Sequence, residues 1–125
     1  MNVCHLNIRS LLAPDRLDEL SDFVSIIHDF DIVALSETHL GPTISDNSVN
    51  MGNYKLFRNN RNRQGGGVCL FIKEFLSPIR IHDFDSDNLE SVWTEVSLGK
   101  HKHLFGCIYR PPGQSAAEIQ LFLDA

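Results

Sequence analysis

At 125 residues, 42% of them apolar and eight of them Phe, the chain is long enough for one core and too short for two ordinary domains. A net charge of −5 argues against an overall basic nucleic-acid binder but is compatible with an acidic metal site flanked by local basic patches. No apolar run approaches the ~20 residues that cross a bilayer, and no secretory leader pattern opens the sequence, so no membrane partner and an intracellular location are expected.

Val3 to Ile8 reads as a first strand, with Asn7 near its end. Pro14 and Asp15 open a helix, Pro suiting the first turn and Asp the positive end of the helix dipole. Leu17, Leu20, Val24 and Ile27 step by three, four and three, which makes one apolar stripe that Phe23 widens. Ile32-Val33-Ala34-Leu35 is a continuous apolar run between Asp31 and Ser36, the pattern of a strand buried on both faces. Strand, helix, strand within this length is a βαβ unit, so the two strands run parallel. If they are neighbours, Asn7 and Glu37 emerge at one sheet edge, outside the strands' carboxyl ends, where wound α/β sheets bind ligands.

Thr38 to Asn53 is polar and reads as a long surface loop. Tyr54 to Arg58 and Val68 to Ile72 form a hairpin about a turn ending in Gly65-Gly66-Gly67, which suits tight backbone approach. Ser77-Pro78 and the acidic run from Asp83 to Asp87 read as loops. Leu89 to Ser97 and Leu104 to Tyr109 form a second hairpin, with Val92, Thr94 and Val96 on one face. Trp93 is expected in the core, and His101 and His103 at an exposed turn. Ser115 to Glu118 is a capping box that starts a helix with Ile119, Leu121 and Phe122. No stop signal follows before Ala125, so the chain is expected to be cut rather than finished. The three cysteines, Cys4, Cys69 and Cys107, each lie in an expected strand and suit reduced, buried thiols; none has zinc-ligand spacing with a histidine.

Five pieces come in one order: Leu6-Asn7-Ile8-Arg9; Ala34-Leu35-Ser36-Glu37-Thr38-His39; the Arg61 to Val68 stretch; Leu89-Glu90-Ser91-Val92-Trp93; and Tyr109-Arg110-Pro111-Pro112. Together they resemble the endonuclease/exonuclease/phosphatase superfamily, and within it the apurinic-type endonuclease domain of non-LTR (LINE-type) retrotransposons. The resemblance spans residues 1–125 as the N-terminal half of such a domain. It implies the N-terminal half of a four-layer α/β sandwich: a mixed sheet with a βαβ start, two hairpins and a truncated C-terminal helix.

The resemblance further implies hydrolysis of a DNA phosphodiester with Mg2+ (or Mn2+). Glu37 would be the metal ligand, since a hard cation takes carboxylate oxygen. Asn7 would act near the metal or the scissile phosphate, and the Tyr109 hydroxyl would donate to a phosphate oxygen. Arg61, Arg63 and Arg110 are weaker candidates for phosphate contact; with Lys55 and Arg58, the first two could equally form a solvated hairpin tip. The family's later Asp-x-Asn and Ser-Asp-His do not occur in the required order, so the chain alone is expected to be inactive. Partners implied are DNA and either the missing C-terminal half or a reverse transcriptase of a parent polyprotein, with a nuclear site of action if functional. Two other readings stay open: a domesticated, non-catalytic interaction module, and another phosphoesterase of the same superfamily.

Overall fold

The computed structural model describes residues 1–59, 66–86 and 89–109. The first strand, β1 (Val3–Asn7), pairs in parallel with β2 (Ile32–Ser36), and helix α1 (Arg16–Asp22) with a following π turn (Phe23–Ile27) makes the crossover. Two further strands, β3 (Tyr54–Asn59) and β4 (Val68–Lys73), form an antiparallel hairpin whose β4 joins the free side of β2. The order of this mixed sheet is β1-β2-β4-β3. The second sheet is antiparallel, β5 (Ile79–Ile81), β6 (Glu90–Leu98) and β7 (His101–Tyr109), in that order. The βαβ start, both hairpins and the mixed α/β class agree with the sequence. The expected C-terminal helix lies outside the described residues.

Alternation along β2 and β4 divides the core in two. Val33, Leu35, Cys69 and Phe71 pack against Leu20 and Val24 of the helical segment and against the loop residues Leu40, Val49 and Met51. Ile32, Ala34, Val68, Leu70 and Ile72 face the second sheet, where they meet Val92, Val96 and Cys107. All five residues of β2 are buried, as its unbroken apolar run requires.

Four local features depart from the sequence reading. The helical stripe ends early: Ile27 is 64% exposed, because the i→i+5 bond from His28 N to Phe23 O widens the last turn and rotates Ile27 off the core side. Asp15 occupies the cap position in a left-handed conformation and makes no side-chain cap bond. The 38–53 loop is no simple surface loop, since its apolar residues plug the helix-side core and a 3-10 turn forms over Asp46–Val49. Trp93 is on the outer face of the second sheet rather than in the core, its ring 5.3 Å from that of Phe84. Gly106 opposite leaves the space, for a Cβ there would lie 2.6 Å from Trp93 Cδ2. The short β5 carries no alternation long enough to be seen in the sequence.

Cys69 and Cys107 are buried free thiols and Cys4 is a half-buried one. Burial raises all three above the ordinary value, and holds Cys107 up to about 12.

Phe71 fills the centre of the helix-side core with no exposure, so Phe71→Ala should cost about 3–5 kcal/mol in urea unfolding. The thiols give a pH signature. Their ionised form is disfavoured only in the fold, so the stability they contribute is complete below pH 9.0 and is lost as pH rises toward about 12. Unfolding midpoints measured from pH 7 to 11 should fall above about pH 9, and less steeply in the C69A/C107A double variant. At neutral pH a thiol reagent should label Cys4 in the folded chain and reach Cys69 and Cys107 only after denaturation.

Candidate functional site at the rim of the two sheets

Parallel pairing sets Asn7 opposite Ser36, so β1 and β2 end together. Past that point the backbone continues an irregular ladder. Ile8 N donates to Ser36 O (3.0 Å), Ser10 N to Glu37 O (2.8 Å) and Leu11 N to Thr38 O (2.9 Å). On the other side Thr38 N donates to Gly67 O (3.2 Å) and His39 N to Gly66 O (2.9 Å). The segment that carries Glu37 is therefore gripped from both neighbours.

Glu37 itself has φ 55°, and left-handed values recur around it at Arg9 (49°), Ser10 (84°), His39 (56°), Gly66 (70°) and Gly67 (93°). For a non-glycine residue this conformation costs roughly 1–2 kcal/mol. Regular alternation would have set Glu37 on the helix-covered face with Val33 and Leu35; the left-handed step takes it out of that alternation. The residue is half-buried, and among the described residues nothing hydrogen-bonds or ion-pairs with its carboxylate. Asn7 is exposed and shares the inter-sheet face of Val3 and His5, opposite the face of Cys4 and Leu6 that packs on the helix side.

The second sheet meets this rim through β6 and β7. Cys107 Sγ lies 3.6 Å from Leu35 O as a donor, which sets Tyr109 and Glu37 each two residues beyond a shared contact. Tyr109 is half-buried against the inter-sheet core and is the cross-strand partner of Glu90. Glu90 Oε1 in turn accepts the Gly67 amide at 2.5 Å. Register and hydrogen bonds thus link Asn7, Glu37, Gly67, Glu90 and Tyr109 along one edge of the molecule. Glu90 has no assigned role in the sequence reading. The available signal is its position: an acid on the face of β6 that also carries the buried Val92, Thr94 and Val96.

Gly67 permits this closeness, since a Cβ there would stand 2.5 Å from Thr38 Oγ1. That hydroxyl is buried and has no hydrogen-bond partner among the described residues. The expected basic patch is reduced. Arg58 is tucked into the fold, donating to Ile44 O and pairing with Asp46 at 3.2 Å, while Lys55 stands over the Phe57 ring. Arg61, Arg63 and Arg110 lie outside the described residues.

The donors offered to a cation are hard oxygens, the Glu37 carboxylate and the Asn7 amide carbonyl. They fit magnesium or manganese in kind, since Mg2+ is commonly held by one or two carboxylates plus substrate phosphate. Among the described residues no three His, Cys, Asp or Glu side chains cluster as a complete metal site. Among the same residues no helix is long and apolar enough to cross a membrane.

No curated protein matches the chain by sequence. Solved structures do match its fold. The endonuclease domain of TRAS1, a telomere-specific non-LTR retrotransposon, superposes with a TM-score of 0.66 at 12% identity, covering 98% of this chain and 50% of that one. AP endonuclease LMAP from Leishmania major gives 0.67 at 14%, covering 98% and 44%. TDP2 from Caenorhabditis elegans gives 0.68 at 16%, covering 98% and 40%. The chain therefore spans about half the length, or less, of these structures. The model of the Endonuclease/Exonuclease/phosphatase family matches residues 2–125. By that match across nearly its whole length, and with the fold in agreement, the chain belongs to the endonuclease/exonuclease/phosphatase family.

Proposed function

We propose that the chain is the N-terminal half of a divalent-metal-dependent DNA endonuclease domain of retrotransposon origin, and that it is inactive alone. The observation that carries this reading is the shared rim: three strand ends distant in sequence bring an amide, a carboxylate and a phenol to one edge through fixed register. Likeness to the TRAS1 endonuclease domain supports the retrotransposon origin, and the endonuclease neighbours support DNA as the substrate.

In this reading Glu37 holds Mg2+ or Mn2+, and Asn7 hydrogen-bonds beside it, to the cation's shell or to the scissile phosphate. When bound, the cation supplies Lewis-acid stabilisation of charge on the phosphoryl oxygens. The Tyr109 hydroxyl donates to a non-bridging oxygen, a neutral donor fixed in place before charge develops. Its half-buried ring holds that hydroxyl at the rim without spending side-chain freedom on each turnover. The reading assigns no water-activating base to these residues. That role belongs to the complementary half, together with further acids, and DNA is gripped by both halves.

Supercoiled plasmid incubated with the 125-residue chain and magnesium should remain supercoiled. Metal-dependent nicking by this chain, lost in Glu37→Ala, would overturn the claim of inactivity. In a longer chain that supplies the Asp-x-Asn and Ser-Asp-His segments, nicking should appear. There Tyr109→Phe should lower the single-turnover rate by about 100-fold, the scale for one removed transition-state donor. An unchanged rate in that variant would remove Tyr109 from the site.

A further inference from the structure

We infer that Glu90 is a positioning residue for the rim: its carboxylate, by accepting the Gly67 amide, locks the Gly66–Gly67 segment against Thr38–His39 and thereby sets the backbone that presents Glu37. The inference deepens the function proposed above and rests on it for the role of Glu37.

Both polar ends of the Gly67 residue are occupied. Its carbonyl takes the Thr38 amide and its own amide is taken by Glu90. The glycine belongs to the first sheet's edge of the rim and Glu90 heads β6 of the second, so this bond fastens the two sheets to each other. Besides the Cys107–Leu35 contact, two more polar ties run between the same sheets: Asn59 Nδ2 donates to Ser91 O (2.9 Å), one residue along from the Gly67–Glu90 bond, and Arg80 Nη1 to Arg58 O (3.1 Å). Like the Arg80 bond, the Glu90 bond is charge-assisted, and such bonds are shorter and about twice as strong as neutral ones. It acts where the backbone has most to resist, beside left-handed residues at 37, 39, 66 and 67. Segments held in such conformations persist only when their surroundings over-determine them. Glu90 is also the cross-strand neighbour of Tyr109, so one side chain stands between the phenol and the strap that holds the acid.

The test uses amide exchange and Mn2+ titration of the 125-residue chain, read residue by residue in nitrogen-15 spectra. In Glu90→Ala, exchange at Gly67, Thr38 and His39 should accelerate at least about tenfold, and the Mn2+ concentration that half-broadens the Glu37 and Thr38 signals should rise about tenfold, the scale for lost outer-shell partners. Glu90→Gln keeps an acceptor of the same length and should restore both to within about threefold. If Glu90→Ala fails to fold, Glu90→Asp, one methylene too short to reach, replaces it. Unchanged exchange at Gly67 in the Ala or Asp variant overturns the inference. So does Gln weakening Mn2+ as much as Ala while the Gly67 amide stays as protected as in the wild type, which would assign the effect to charge rather than to the strap. If Mn2+ leaves the wild-type Glu37 signal unbroadened, the metal-binding reading fails, and the exchange data alone still decide for or against the strap.

Discussion

Complete enclosure of β2 is the constraint from which the rest of the molecule follows. Its side chains alternate between a helix-side core and an inter-sheet core, and its edges are taken by β1 and β4. A strand without a solvent side can carry no charge along its length. A carboxylate can enter only where the strand ends, and Glu37 is the first residue past Ser36. The left-handed step there separates the acid from the apolar alternation behind it, and the flanking backbone bonds offset what that step costs.

The rim is consequently a property of ladders and not of loops. Asn7 is placed by parallel register with β2, Tyr109 by antiparallel register with β6, and the two sheets are aligned by buried contacts such as Cys107 on Leu35. Two cationic side chains among the described residues are spent on structure. Arg58 closes the 44–46 turn, and Lys73 draws in Asp29 and Asp31, with its Asp29 hydrogen bond raising the amine above its ordinary value. Positive charge for a phosphate backbone is therefore not supplied by Arg58, although a count of basic residues in its hairpin would have included it.

What could be read from the sequence follows the reach of each physical signal. The run of residues 32–35 is legible because burial on both faces demands continuous apolarity, and the βαβ unit then fixes strand direction by chain length alone. The three site candidates were legible through spacing and family likeness, and their common edge follows from strand direction for two of them. The π turn was not legible: nothing in Phe23-Val24-Ser25-Ile26-Ile27 distinguishes a widened turn from a continued helix. The outward side of Trp93 is not legible either, because a large aromatic on an alternating strand suits either face, and the room that Gly106 leaves opposite it shows only in the fold. The role of Glu90 is not legible, since its partner is a backbone amide 23 residues earlier, and a main-chain donor leaves no mark in a sequence.

The strand order has a consequence for how the chain is made. β2 is complete at Ser36, but the strand that closes its second edge begins only at Val68. On a ribosome adding roughly 5–20 residues per second, that interval lasts a few seconds. Throughout it the nascent βαβ unit presents Ile32 to Ser36 with unsatisfied main-chain groups along one side, the kind of template that recruits strands from other polypeptides. Newly synthesised copies should thus depend on chaperone shielding at this stage, and on dilution when refolded from denaturant, far more than the finished sheet does.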